Sequence, residues 1–244
     1  INIDGTRALL RLSAESGIER IVYTSSVATL GLNKDGTPSN ESTPCSYTDM
    51  IGVYKRSKFL AEAEVQRLVT EESIPVVIVN PSAPIGPRDI KPTPTGRIVL
   101  DAARGKMPAY VDTGLNFVHV EDVADGHILA YKNGEVGQRY ILGGENYTLL
   151  QMLTEICGFV DRKPPSIKLP QNVLLPIAYL LESASRLTGN WEPFVTVDGV
   201  KMSKKLMYFS SDKAKKTLGY KTRAIQIAVA DALEWYRKNG YLQP

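Results

Sequence analysis

A doubly wound α/β sheet is the fold class this sequence predicts, and three observations predict it. Ile21-Val22-Tyr23-Thr24 is a short apolar, β-branched run of the kind that forms a buried strand. Ile74-Pro75-Val76-Val77-Ile78-Val79-Asn80 is a second, without polar alternation, as expected of a strand covered on both faces in a parallel sheet. Between them a helical pattern runs from about Ile51 to Glu72, with Phe59, Leu60, Ala63, Val65 and Leu68 supplying much of its apolar surface. Helix, strand, loop, helix, strand in this order calls for crossover connections and helices packed on the faces of the sheet.

The remaining elements follow in chain order. The sequence opens inside a helical pattern, Ile1-Asn2-Ile3-Asp4-Gly5-Thr6, whose apolar face is Leu9, Leu10, Leu12 and Ala14, with Gly17 as its stop. Residues 31–49 are rich in Gly, Asn, Asp, Pro, Ser and Thr and predict a surface loop, and the Pro-rich stretch from Pro81 to Pro94 predicts another. A helix from Gly96 to Arg104 precedes short strands around Ala109–Val111 and Phe117–Val120. A helix begins near Glu121-Asp122, and Gln138–Leu142 reads as a strand. Thereafter the pattern is mostly helical, at about 148–160, 172–188, 212–218 (capped by Ser211 or Asp212) and 225–239. A regular α/β half followed by mixed, loop-rich sequence predicts two lobes. Residues 1–94, with 117–142 returning to them, form the larger; 95–116 and 143–244 form a smaller, mostly helical substrate lobe that completes a pocket.

Composition excludes several functions. With 244 residues and 43% hydrophobic content the chain buries a substantial core as one soluble unit or a domain with a smaller lobe. A net charge of +3, dispersed along the chain, does not argue for nucleic acid. Cys45 and Cys157 stand apart without metal spacing, which favours a reducing, cytoplasmic compartment. His119 and His127 lack a third partner, so no metal site is expected. Asn40-Glu41-Ser42 and Asn146-Tyr147-Thr148 match glycosylation sequons, without a secretory signal to give them meaning. The most apolar stretch, 173–181, is about half the roughly 20 residues a spanning helix needs, so no transmembrane segment is predicted.

Tyr54-Lys55-Arg56-Ser57-Lys58 carries the chemistry. A tyrosine and a lysine at i and i+4 share one helix face, where an ammonium can stabilise a phenolate whose unperturbed pKa is about 10. Ser25-Ser26, at the end of the first strand, can hold a carbonyl or alcohol oxygen beside that phenol. Together these groups form an acid/base device that moves a proton while a hydride moves elsewhere. Tyr-x-x-x-Lys arises by chance in many helices, and the serine strand before it gives the pattern its weight.

Thr24-Ser25-Ser26, the Tyr54/Lys58 pair, Asn80-Pro81 and the run Phe117-Val118-His119-Val120-Glu121-Asp122-Val123-Ala124 resemble successive landmarks of the extended short-chain dehydrogenase/reductases. These include nucleotide-sugar epimerases, dehydratases and dihydroflavonol-type reductases. Asn2-Ile3-Asp4-Gly5-Thr6 is similar to the family's Asn-x-x-Gly-Thr helix. Three further runs, at 80–96, 140–146 and 192–200, resemble the hopanoid-associated sugar epimerase branch.

The resemblance implies a Rossmann-like nucleotide-binding sheet and NAD or NADP as cofactor. It implies Tyr54 as catalytic acid/base, with Lys58 lowering the phenol's pKa and hydrogen-bonding the nicotinamide ribose. Counting back from Gly31 matches the catalytic serine to Ser26, which also holds substrate, and leaves Thr24 and Ser25 on the cofactor side. Asn2 corresponds to a helix asparagine that supports a proton relay through water to the lysine. Pro81, Ser82 and Ala83 pass close to the nicotinamide. Arg88, Lys91 and Arg97 are candidates for substrate phosphate, while His119 and Asp122 position a helix start.

The function so implied is oxidation or reduction of a carbinol or keto carbon, with a small-molecule substrate, foremost a nucleotide-linked sugar. A dihydroflavonol-like ketone reductase is the alternative, and a non-catalytic binding protein on the same fold is a second. A homodimer through the helices at 1–16 and 51–72 is also expected. The family's glycine-rich phosphate-binding turn is not in this sequence. The resemblance implies that roughly 80 residues carrying it precede Ile1. Without them the strand at 21–24 would offer an open edge; residues 1–244 alone are expected to be poorly soluble and, on dinucleotide titration, not to bind.

Overall fold

The computed structural model describes residues 2–188 and 196–242. In chain order its first elements are α1 (Asn2–Glu15), β1 (Ile21–Thr24), α2 (Gly52–Glu72), β2 (Val76–Pro81), β3 (Ala83–Ile85), α3 (Pro94–Ala103), β4 (Ala109–Tyr110) and β5 (Gly114–His119). Then come α4 (Val120–Asn133), β6 (Arg139–Leu142), β7 (Glu145–Thr148), α5 (Leu149–Gly158) and β8 (Ile167–Lys168). The last are α6 (Gln171–Thr188), α7 (Val197–Ser203), β9 (Leu206–Met207), α8 (Asp212–Leu218) and α9 (Ile225–Lys238).

Strands β1, β2 and β6 form a parallel sheet in that order, with Thr24 opposite Val79 and Ile78 opposite Arg139. Val76, Val77, Ile78 and Val79 are all 0% exposed, so both faces of β2 are covered, as its unbroken apolar run requires. Ile78 and Val76 face Leu10, Val65, Leu68 and Ile74, from α1, α2 and the turn after α2. Val77 and Val79 face Val123 and Ala130 of α4 and Ala214 and Leu218 of α8.

Pairs of opposite charge lace α1 to α2. Arg7 donates to Glu64 at 2.6 Å and Arg11 to Glu72 at 2.5 Å, while Arg67, on the same helix as Glu64, reaches it at 2.8 Å.

The second half builds its own sheet around β5, which pairs with β3 and β9 in parallel and with β7 antiparallel. Its core gathers Val99 and Leu100 of α3, Met152, Leu153 and Ile156 of α5, and Val229 and Leu233 of α9. The Pro81–Pro94 segment is thus not all loop: β3 lies within it and joins this second sheet. The remainder of the chain also holds strands β7, β8 and β9 and helix α7, which the sequence pattern does not predict. Glu145-Asn146-Tyr147-Thr148 has no apolar run, and β8 and β9 are two-residue pairings decided by their neighbours. Ser211 precedes α8 as expected, but its side chain makes no capping bond. The expected surface loop at 31–49 buries Ser39 and Glu41; Glu41 accepts from the backbone N–H of Ile141 at 2.8 Å. Residues 192–195 of the third sugar-epimerase-like run lie outside the described residues. No described helix is long and apolar enough to cross a membrane.

Hydrogen bonds from Arg67 and Arg7 hold the Glu64 carboxyl down at about 2, against 4.5 for a free glutamate. Above pH 4.5 its contribution to stability is fully present. As pH falls from 4.5 towards 2 the unfolded chain takes up the proton and the folded chain does not, so that contribution is lost. Glu64→Gln should therefore flatten the fall of the urea midpoint between pH 5 and 2.5. An unchanged pH slope would show that the α1–α2 clamp does not contribute.

Candidate active site

The first strand ends in three hydroxyl residues with different surroundings. Thr24 Oγ1 pairs with His127 Nε2 at 2.9 Å. Ser25 is buried and donates to Glu62 Oε2. Ser26 caps a short 3-10 turn, Val27–Thr29, its Oγ accepting from the Ala28 N–H at 3.1 Å. That bond uses a lone pair and leaves the Ser26 hydroxyl proton free to donate. Of the two serines, Ser26 alone presents a donor that no described residue takes.

The second functional element, α2, begins at Gly52, whose φ is 82°. That left-handed backbone is what favours glycine here; a Cβ would also approach an Asp198 carboxylate oxygen to 2.8 Å, which the Asp198 side chain can relieve by moving. Tyr54 follows in the first turn and is 63% exposed, open to a ligand. Lys58 lies one turn on, and its Nζ donates to the carbonyl of Thr24 at 3.3 Å and sits 5.9 Å from the centre of the Tyr23 ring. Burial pushes the Lys58 ammonium below the usual lysine range, with Glu62 opposing. The i, i+4 pair is thus tethered to the strand that ends in Ser26. Asn2 reaches the same helix: its Nδ2 donates to Ser57 Oγ at 3.1 Å, and Ser57 donates to the carbonyl of Tyr54 at 2.9 Å. Its amide therefore contacts α2 between Tyr54 and Lys58 rather than Lys58 itself.

Glu62, one turn beyond Lys58, is 3% exposed and organises the junction. Its Oε2 accepts from Ser25, from Thr29 Oγ1 at 2.8 Å and from Asn80 Nδ2 at 2.8 Å, and Arg139 reaches Oε1 at 3.1 Å. Asn80 Nδ2 also donates to the Ser26 carbonyl at 3.1 Å. One buried carboxylate thus ties α2 to the ends of β1 and β2 and to β6. Sequence reasoning missed Glu62, and it noted Asn80 as a landmark without giving it a role. The available signals were an acid four residues after Lys58 in the apolar stripe of a long helix, and an amide closing an apolar strand.

At the end of β2, Pro81 lies opposite Leu142 and the Ser82 N–H donates to the Leu142 carbonyl at 3.2 Å. Asn80 Oδ1 and Ser82 Oγ are buried without a partner among the described residues. These orphan atoms, with Lys58 and the following Ala83, lie at the carboxyl ends of parallel strands, where open α/β sheets bind ligands. They fit the nicotinamide and ribose end of a dinucleotide, with its amide and hydroxyl groups.

Of the three basic residues expected at substrate phosphate, Arg97 lies in α3. Arg88, at φ 71°, lines an apolar cavity of about 310 Å³ with Asp89, Val120 and Tyr236. Neither Lys91 nor Arg97 lines it, and it includes none of Ser26, Tyr54 and Lys58. His119 caps α4 by accepting from the Glu121 N–H at 3.0 Å, while Asp122 holds Arg223 at 2.5 Å.

Parallel strands ending in a serine and a helical Tyr-x-x-x-Lys define the short-chain dehydrogenase class of α/β enzymes. Residues 1–143 match the model of the NAD-dependent epimerase/dehydratase family, and the chain belongs to that family. It is 44% identical over 246 residues to the "Putative dihydroflavonol 4-reductase" of Synechocystis sp., covering 99% of this chain and 71% of the relative. It is 31% identical over 243 residues to sterol demethylase protein B of Methylococcus capsulatus, covering 99% and 74%. The crystal structure of gox2253 is 53% identical, with a TM-score of 0.88 over 99% of this chain and 73% of that one.

Substituting Glu62→Gln would turn an acceptor of four donors into a group with its own N–H atoms facing them. A loss of about 3 kcal/mol in unfolding free energy is expected, as for breaking a buried ion pair from one side. An unchanged urea midpoint would mean the junction does not hold the two elements together.

Proposed function

We propose that the chain catalyses NAD(P)-dependent oxidation or reduction at a carbinol or keto carbon through Ser26, Tyr54 and Lys58. The observation that carries this reading is the tether of Lys58 to the Thr24 carbonyl, which brings the Tyr54 helix to the strand end bearing Ser26. The dinucleotide, when bound, supplies or takes the hydride. Ser26 Oγ donates to the substrate oxygen and holds it at the phenol. Tyr54 gives that oxygen a proton in reduction and takes it in oxidation. The Lys58 ammonium favours the phenolate and holds the ribose hydroxyls, while Thr24, Ser25, Pro81, Ser82 and Ala83 form the cofactor-side wall. Asn2, acting through Ser57, supports the backbone at Tyr54.

An epimerase returns the hydride to the opposite face and a reductase delivers it once, so the same three residues serve either. A nucleotide-linked sugar is the leading substrate class; the relative named for dihydroflavonol reduction supports a ketone as the alternative. In this reading residues 1–94 and 117–142 serve the nucleotide, and 95–116 with 143–244 serve the substrate. Two free cysteines support a cytoplasmic setting. Leu9 (65% exposed), Leu12 (61%) and Val53 (82%) support a homodimer through α1 and α2, for which sedimentation velocity is the check.

Tyr54→Phe should leave the fold and coenzyme affinity intact and cut turnover by about 10²–10⁴, the usual worth of a positioned acid/base. Lys58→Ala should lower both turnover and coenzyme affinity. Wild-type turnover in the Phe variant removes Tyr54 from the mechanism, and unchanged coenzyme affinity in the Ala variant removes the ribose contact.

A further inference from the structure

Helix α6 departs from the pattern of an ordinary surface helix, which turns its apolar stripe to the core and its charges to water. Leu174, Leu175 and Ala178 pack against Val197 and Val200 of α7. The opposite stripe is apolar as well. Val173 is 58% exposed, Ile177 41% and Leu180 71%, at the i, i+4, i+7 spacing of one helix face. Pro176 lies exposed within that stripe, and Ser183, which extends it, turns its hydroxyl back onto the Tyr179 carbonyl at 2.8 Å. Tyr179, half exposed, borders it. No charged residue stands between Lys168 and Glu182.

The charges around α6 are unequal. Glu182 faces inward, its Oε1 accepting from the Val197 N–H at 2.7 Å. The Asp198 carboxylate lies close to Gly52 at the start of α2, and Asp112 is held by Lys168 at 2.6 Å. Lys205 lines the cleft that also holds Asp49. Lys201 and Lys204 remain, both exposed, and among the described residues no carboxylate lies within ion-pair distance of either. Lys204 donates to Asn172, in the first turn of α6, at 2.9 Å. The apolar stripe thus has a basic margin at its N-terminal end.

We infer that the outer face of α6 docks on a bilayer surface bearing anionic headgroups. Its apolar run is about half the roughly 20 residues that crossing requires, so the helix lies on the surface and does not span it. In that position an apolar stripe enters the boundary of the acyl chains, while lysines at its margin meet the headgroups. A tyrosine beside the stripe suits the same boundary, with its ring in the apolar layer and its hydroxyl in the wet one. A second copy of the chain is the poorer occupant. Val173, Ile177, Tyr179 and Leu180, each already partly covered, offer well under the roughly 800 Å² per partner that a stable protein interface buries. Because α7 packs on α6 and brings Asp198 close to Gly52, docking holds the start of the Tyr54 helix near the lipid. The inference stands apart from the oxidoreductase reading and needs no turnover to test it.

The test is flotation of the full chain with vesicles of equal parts phosphatidylglycerol and phosphatidylcholine, and with phosphatidylcholine alone, beside sedimentation velocity without lipid. The wild type should bind the anionic vesicles at least tenfold more tightly than the neutral ones, and added salt should narrow that gap. Leu180→Glu should weaken binding at least tenfold. Lys201→Glu and Lys204→Glu together should remove the preference for anionic lipid. Ile227→Glu, at an exposed apolar position on α9, should change binding less than twofold. Far-UV circular dichroism confirms that each variant is folded. A wild type that does not float, binding unchanged by Leu180→Glu, or an equal loss from Ile227→Glu overturns the docking surface. Equal binding to both kinds of vesicle overturns its anionic partner. A dimer that Leu180→Glu dissociates, in a protein that does not float, assigns the face to a second copy instead.

Discussion

The buried carboxylate of Glu62 is the constraint on which the candidate site depends. It sits two turns beyond Tyr54 and one beyond Lys58, and it draws in donors from β1, β2 and β6 as well as the turn after Ser26. A charged group removed from water must be met by hydrogen bonds and an opposite charge, and only one docking of α2 against the sheet supplies all of them. That docking brings Tyr54 and Lys58 to the strand end and orients the Ser26 backbone through Asn80. It also consumes the Ser25 hydroxyl, so the choice between adjacent serines follows from a buried acid on a different element.

Much of the fold is legible because hydrophobic periodicity and burial are coupled locally. The run Val76–Val79 could only be a strand covered on both faces, and the stripe from Phe59 to Leu68 could only be a helix against it. Where pairing rather than pattern decides, the sequence is silent. The Glu145–Thr148 strand is polar and half-buried, and the Leu206–Met207 pairing is two residues long; both exist because β5 offers them a partner.

The site divides in the same way. The Tyr54/Lys58 pairing is legible because i, i+4 geometry is a local fact, whereas the strand end offers both Ser25 and Ser26 and only the family resemblance points to Ser26. Glu62 and Asn80 are acid and amide in otherwise apolar elements, and their meaning lies in contacts across the chain. Arg88, expected near substrate phosphate, adopts a left-handed backbone and lines an apolar cavity with Asp89 and Tyr236, a placement that charge in a Pro-rich loop does not convey.

The central claim is that Glu62 acts on the reaction by positioning Tyr54 and Ser26, and a double-mutant cycle on turnover tests it most directly. Glu62→Gln and Tyr54→Phe are measured singly and together, with folding checked in each. If Glu62 works through Tyr54, its substitution costs turnover in the native background and almost nothing once the phenol is gone. Fully additive losses, or no loss from Glu62→Gln alone, would contradict the account.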